Sequence, residues 1–278
     1  MITVQLTNGF GNNLFQYIAA KLLAEHHGQE VAAILPTSDY YAANALKKMN
    51  VNILPERPIK AVPVNEFNYK AAHDEKYKNN NFHLSGYFED YNFFKDKINI
   101  IKEWYPVKEK KSPDDLVIHF RAGDRLFYKN EFDYKPSVKS YIDAIEQFDY
   151  KNLYIVTDMP RWKYVTADDL KNMKFHLDVP ECDRVPIEKS VDYFNSFVDA
   201  FSGFNPILNN KKNRSVYDDF NFIRTFDNIL FQHGTLGWWA SVLSDASKVG
   251  VYGPWRAWKG KSNKNLSKID LPGWFQWK

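Results

Sequence analysis

The chain has 278 residues, with 37 basic and 34 acidic side chains and a formal charge of +3. So mild a balance, with the basic residues scattered rather than striped, argues against a nucleic-acid partner. The single cysteine, Cys182, excludes an intrachain disulfide and a Cys-rich zinc site, and fits a reducing compartment.

At 44% hydrophobic and 17% aromatic, the chain has material for two modest domains or one large one. No apolar run approaches the ~18 residues of a membrane span. The start, Met1 to Gly9, lacks a basic leader and a long apolar stretch, so it is expected to be a first strand rather than a signal peptide.

Ile2 to Leu6 predicts that strand, and the spacing of Leu14, Ile18, Ala19 and Leu22 predicts a helix from Asn12 to about His26. Val31 to Leu35 predicts a second strand, and His83 to Tyr87 a further one. Strand–helix–strand order is the start of a doubly wound α/β sheet. A second series begins with a strand over Leu116 to Arg121, followed by a helix from Pro136 to Phe148 with proline at its start. Leu153 to Thr157 reads as a strand, Phe175 to Leu177 as a short one, and Asn205 to Ser215 as an exposed polar loop. Helices are expected over Val216 to Phe226 and Leu236 to Leu243, and a strand over Val249 to Tyr252. The two series meet near residue 105, where Trp104-Tyr105-Pro106 and the Lys-rich stretch Lys108 to Lys111 suggest a linker. Two α/β domains are therefore expected, 1–105 and 106–278.

The most informative segment is Val117-Ile118-His119-Phe120-Arg121-Ala122-Gly123-Asp124, an apolar strand ending in a polar turn. His119, Arg121 and Asp124 at such a strand end suit a diphosphate and acid–base chemistry; an Arg121–Asp124 ion pair closing a loop is the plainer alternative. Gly9-Phe10-Gly11-Asn12 joins a strand to a helix, where glycines allow close backbone approach and the helix start favours anions.

The chain resembles the alpha-1,2-fucosyltransferase family (glycosyltransferase family 11), within a superfamily marked by an H-x-R-x-G-D-like motif. The family's G-x-G-N-Q-x-F-Q-Y pattern is matched by Gly9 to Tyr17, and its G-Y-F/W-Q-x-x-x-Y/F-F pattern by Gly86 to Phe94. His119 to Asp124 match the H-x-R-R-G-D motif, and Thr157-Asp158 with Trp162 a strand ending in Ser/Thr-Asp. Asp219 to Ile223, then His233 to Trp239, match a D-x-x-x-M helix leading to N-S-S-F-S-W-W, and Pro254-Trp255 approximates a final Pro-x-x-Trp. The departures are Ala122 for the second Arg, Gly234 and Gly237 for serines, and a longer stretch between Trp162 and Asp219.

The resemblance implies a GT-B-like α/β fold, with two Rossmann-like halves facing a cleft, the N-terminal one on the acceptor side and the C-terminal one binding a nucleotide sugar. It implies an inverting glycosyltransferase moving L-fucose from GDP-fucose to a glycan hydroxyl, and a cytoplasmic unit like bacterial or viral members. A different donor such as UDP-xylose, or a non-catalytic glycan- or nucleotide-binding module, are the competing readings. No Asp-x-Asp metal motif occurs, so no metal or cofactor is expected, and Arg121 is the natural counter-charge for the diphosphate. The catalytic candidates are Arg121 and Asp124; Asp124 either orients Arg121 or deprotonates the acceptor hydroxyl. The donor-binding candidates are Gly9, Gly11, Asn12, His119, Arg121, Asp158 and Thr235. Asp158 reads the base edge or caps a helix, and Thr235 binds phosphate or is an N-cap. Trp238 and Trp239 are expected to be core anchors rather than sugar platforms.

Overall fold

The computed structural model of the protein describes residues 1–278 apart from 57, 59, 108, 112, 130–134, 210–213 and 254–272. The N-terminal half runs β1 (Ile2–Gln5), α1 (Phe10–His27), β2 (Val31–Ile34), α2 (Ala43–Lys48), β3 (Ile53–Leu54), β4 (Val62–Val64), β5 (Phe82–Leu84) and α3 (Ile98–Trp104). Its strands form a parallel sheet in the order β3-β2-β1-β5-β4. β1 lies at the centre, so Ile2, Thr3 and Val4 are fully buried although the strand is only four residues long. Pro63 lies in β4 at the sheet edge, where a missing N–H is tolerated.

The C-terminal half runs β6 (Asp115–Phe120), α4 (Val138–Ile145), β7 (Asn152–Thr157), α5 (Ala167–Lys171), α6 (Lys174–Asp178), α7 (Ile187–Ser202), β8 (Ile207–Leu208), α8 (Val216–Ile223), β9 (Asn228–Phe231), α9 (Thr235–Val242), β10 (Lys248–Tyr252) and β11 (Phe275–Trp277). These strands are also parallel, in the order β11-β10-β9-β6-β7-β8. The α/β architecture with two doubly wound, Rossmann-like halves is that expected from the sequence.

The halves meet through α1 and α9. α1 is buried at 14 of its 18 positions, because one side packs on β1 and β2 and another on α9. Trp238 and Trp239 lie at right angles with ring centroids 4.8 Å apart, and Phe15 of α1 packs against both. One apolar core therefore runs from Ile2 and Val4 through α1 and α9 to Val117, Ile229 and Val251 of the second sheet. The opposite face of that sheet presents Leu116, Ile118 and Phe120 to a second core, filled by Tyr141 of α4 and by Phe194, Phe197 and Phe201 of α7.

Three local readings change. Phe175 to Leu177, expected as a strand, lie in helix α6. The expected loop 205–215 contains β8, which extends the sheet beside β7. The expected helix 136–148 starts at Val138, because the Ser137 hydroxyl caps it by accepting the Ser140 N–H at 3.0 Å. The junction near residue 105 is tied into the molecule: the Arg224 guanidinium donates to the Tyr105 carbonyl and the Lys111 N–H to that of Thr225.

Candidate active site

In open parallel sheets, ligands bind beyond the carboxyl ends of the strands where the winding reverses. In the first sheet that point lies between β1 and β5, and in the second between β6 and β9. The segments that follow these four strands carry Asn8 to Asn12, Gly86 to Glu89, Arg121 to Asp124 and Gln232 to Thr235. Most of the candidate residues fall there; His119 lies within β6, and Asp158 follows the adjacent strand β7.

The Arg121 turn is held from several sides. Asp158 Oδ1 accepts the N–H groups of Ala122 at 2.8 Å and Gly123 at 2.9 Å. Gly123 has φ +30°, and a Cβ there would lie 2.4 Å from Asp158 Oδ2, so only glycine fits. The Gln232 amide donates to the Arg121 carbonyl, and the buried Tyr141 hydroxyl donates to Gln232. Asp124 Oδ1 accepts from an Arg121 terminal nitrogen at 3.2 Å, the orienting contact foreseen as one alternative. Arg121 Nε is buried with no partner among the described residues, while about a third of the side chain (32%) is open. Burial opposes the guanidinium charge, but Asp124 and Asp158 outweigh it and hold the pKa above the usual value.

His119 points the same way as Arg121, toward the start of α9. It is buried, and burial together with Arg121 pushes its pKa down to about 3. The ring is therefore neutral at physiological pH and offers a hydrogen bond rather than a charge. A Cβ at Gly237 would stand 2.7 Å from the Phe231 ring and 3.0 Å from His119 Nδ1, so the glycine lets α9 sit down on β6 and β9.

The two helix starts meet beside Arg121. A Cβ on Gly11 would lie 2.4 Å from both the Leu236 nitrogen and the Thr235 carbonyl carbon. The close approach made by Gly11 is thus to the backbone of α9, not to open space. Thr235 is the first residue of α9, with Gly234 in the cap position, and its hydroxyl donates to Asn12 Oδ1 at 3.1 Å. A Cβ on Gly234 would be 3.6 Å from Arg121 Cδ. The cap residues of α1 and α9 are the glycines Gly9 and Gly234, which have no side chain to cap with, and neither first turn holds an acidic residue. Two helix dipoles and a guanidinium therefore converge on one spot.

Beyond Asn12, in the first half, lie two carboxylates. Asn12 Nδ2 donates to Glu89 Oε1 at 2.6 Å. Burial and the nearby Glu66 raise the Glu89 pKa from 4.5 to about 7, against the pull of the Asn12 amide. Glu66 accepts the N–H groups of Tyr87 at 2.5 Å and Phe88 at 3.2 Å, and its carboxyl occupies the space where a Cβ of Gly86 would be. The sequence reading passed over Glu89; the available signal was a glutamate where the resembled pattern has Gln. Tyr41 from the same half bridges the site: its hydroxyl accepts the Phe10 N–H at 3.2 Å and lies within electrostatic range of Arg121.

Other expected positions sit apart from this cluster. Trp238 and Trp239 are core, as anticipated, and Trp162 stacks on Phe201 in the second core. Pro254-Trp255 lie outside the described residues. Among the described residues, no three His, Cys, Asp or Glu side chains group so as to hold a metal ion, and no helix is long and apolar enough to cross a membrane.

No family model matches the chain, and no curated protein matches it. Among solved structures, the chain is similar to one described as POFUT1 in complex with GDP-fucose, with a TM-score of 0.41 and 8% identity. That similarity covers 91% of this chain and 97% of the other.

Proposed function

We propose that the protein is an inverting glycosyltransferase that takes L-fucose from GDP-fucose and passes it to a glycan hydroxyl without a metal ion. The observation that carries this reading is the convergence of two glycine-led helix starts, at Gly9 to Gly11 and Gly234 to Leu236, beside the part-open guanidinium of Arg121. A leaving diphosphate needs charge stabilisation fixed in advance, and N–H groups at helix starts together with an Arg fork supply it. Asp124 and Asp158 orient that fork and its turn, and the neutral His119 contributes a hydrogen bond to the nucleotide side. The ordered motif resemblance supports GDP-fucose as the donor.

Ala122 favours a second reading with the same chemistry and another donor. Its methyl is buried in the second core, where the resembled motif has a second Arg, so one cation for the donor is missing. A nucleotide sugar with the same diphosphate and a different base or sugar, such as UDP-xylose, is the alternative.

A thermal-shift series separates these readings. Ligand at about 100 times its Kd adds ~2.7 kcal/mol to the folded state, so GDP is expected to raise the Tm by several degrees and more than UDP or CDP. A clear UDP preference would replace the donor and leave the transferase reading intact. No shift with any nucleotide, together with no nucleotide release from GDP- or UDP-sugars, would leave only a glycan-binding module.

A further inference from the structure

We infer that Glu89 is the general base that takes the proton from the acceptor hydroxyl. The inference rests on the glycosyltransferase reading and deepens it.

The transfer needs a carboxylate on the acceptor side, fixed in direction, across the site from the diphosphate. Asp124 meets the first requirement poorly, because its Oδ1 is committed to Arg121 on the diphosphate side. Asp158 is committed to the N–H groups of Ala122 and Gly123. Glu89 comes from the other half of the molecule. The Asn12 amide holds its Oε1 at 2.6 Å, and Asn12 is itself fixed by the Thr235 hydroxyl at 3.1 Å. A line of contacts thus runs from Glu89 through Asn12 and Thr235 to Gly234 and Arg121. Glu89 and the guanidinium occupy opposite ends of it.

The carboxyl ends of the first sheet, from which Glu89 comes, also carry exposed aromatic rings. Three exposed aromatic side chains follow strands of the first sheet at the same edge: Tyr41 at 64%, Phe67 at 78% and Tyr87 at 47%. Aromatic faces of this kind pack against the C–H faces of sugar rings. The charged group that faces Glu89 is Glu66, whose carboxylate lies under Gly86. Burial, with the repulsion of Glu66 added, brings Glu89 to about 7, where a carboxylate is basic enough to accept a proton and is still about half ionised at pH 7. In the transfer, the acceptor O–H proton passes to Glu89 as the oxygen bonds to the anomeric carbon. The anomeric C–O bond to the diphosphate breaks, and its electron pair leaves on the diphosphate beside Arg121. The proton on Glu89 then passes to water.

The test uses the full chain with GDP-fucose and a panel of simple saccharides (D-galactose, lactose, N-acetylglucosamine, L-rhamnose), following GDP release and product. Glu89→Gln is expected to lower kcat roughly 100-fold or more while the Kd for GDP stays within threefold. The wild-type rate should fall on the acid side with an apparent pKa near 7. Glu66→Gln should move that limb to lower pH, because it removes one of the two causes that raise Glu89. A Glu89→Gln enzyme that keeps a third of the wild-type kcat overturns the inference and leaves the transferase reading standing. If Glu89→Gln does not fold, the Glu66→Gln limb decides, and a limb that stays in place overturns the inference. A wild-type chain that binds no nucleotide and releases none from GDP- or UDP-sugars overturns both. Folding supplies an independent readout. A carboxyl whose folded pKa lies above its unfolded one favours the native state at low pH, and that contribution is lost as pH rises from about 4.5 through about 7. Glu89→Gln should therefore have a Tm at or above wild type at pH 8 and lose that advantage at pH 5.

Discussion

The two winding-reversal points are built from similar backbone and carry opposite chemistry. At the β6/β9 point a cation is held by two carboxylate acceptors, Asp124 on the guanidinium and Asp158 on the turn, while the Gln232 amide donates to the Arg121 carbonyl. At the β1/β5 point two carboxylates face each other, and the backbone around them is strained: Asn8 has φ +58° and the buried Phe88 φ +54°. A bulky residue in that region costs on the order of 1–3 kcal/mol, and Glu66 holds the turn by accepting the consecutive N–H groups of Tyr87 and Phe88. The difference matches the division of roles that the proposed transfer requires. The rigid cationic point suits a leaving anion that must find its charge partner already in place. The anionic point suits a neutral hydroxyl that must give up a proton.

The largest effect should come from exchanging the cation at the first point. Arg121→Lys keeps the charge but loses the planar fork, and the shorter reach no longer satisfies Asp124 and a diphosphate together. A hydrogen bond to a charged group is worth ~1.5–3 kcal/mol, so donor affinity should drop at least about tenfold, and transfer further. Titration calorimetry with GDP measures the first, and GDP release the second. Wild-type values in both would show that the guanidinium only closes its own loop.

The next effect concerns the seam between the two points. Gly11→Ala adds a methyl 2.4 Å from the backbone of Thr235 and Leu236, and no rotamer change relieves a backbone contact. Overpacking of this kind costs ~1–3 kcal/mol, more than the helix preference for Ala returns. Gly9→Ala is the control. Its Cβ would be 3.4 Å from the Tyr41 hydroxyl oxygen, an ordinary contact, and φ −80° suits any residue. Thermal melts should show a fall of several degrees for Gly11→Ala and little change for Gly9→Ala. Equal falls would mean that the α1–α9 contact is not what the first glycine pair serves.

Much of this was legible in the sequence, and the rest was hidden for identifiable reasons. The central strands β1, β6 and β7 and the helices α1, α8 and α9 stand within a few residues of their expected positions, since each pairs a clear period with a glycine or polar stop. The α7 helix went unread although Phe194, Phe197, Val198 and Phe201 keep helical spacing, and its apolar face fills the second core. The short edge strands β3, β4 and β8 have no period of their own and exist because a neighbouring strand offers a partner. At the candidate site, the motif spacing picked out Arg121, Asp124, Asn12 and Thr235, and the fold brings them together. The spacing did not reveal that Asn12 and Thr235 bond to each other across 223 residues of chain. Glu89 was hidden for another reason: its importance lies in burial and in Glu66, and neither is visible along a chain.

The smallest effect tests what Thr235 does. Its hydroxyl donates to Asn12 at 3.1 Å, so in the free protein it ties α9 to α1. A helix-start hydroxyl beside Arg121 is equally suited to a phosphate oxygen. Thr235→Val keeps the shape and removes the hydroxyl. If the tie is its role, stability should fall by about 0.5–1.5 kcal/mol, the usual net worth of a hydrogen bond, and GDP affinity should stay within about threefold. Asn12 would then lose one restraint, and the orientation of Glu89 would loosen, so kcat should fall more than donor binding. If the hydroxyl turns to phosphate when the donor binds, the order reverses: GDP affinity drops about tenfold while the Tm of the free protein barely moves. Melts and calorimetry on the same sample distinguish the two. The first pattern places Thr235 with the acceptor side through Asn12 and keeps the two points chemically separate. The second makes Thr235 a donor ligand, and the boundary between the cationic and anionic points then falls between Asn12 and Thr235.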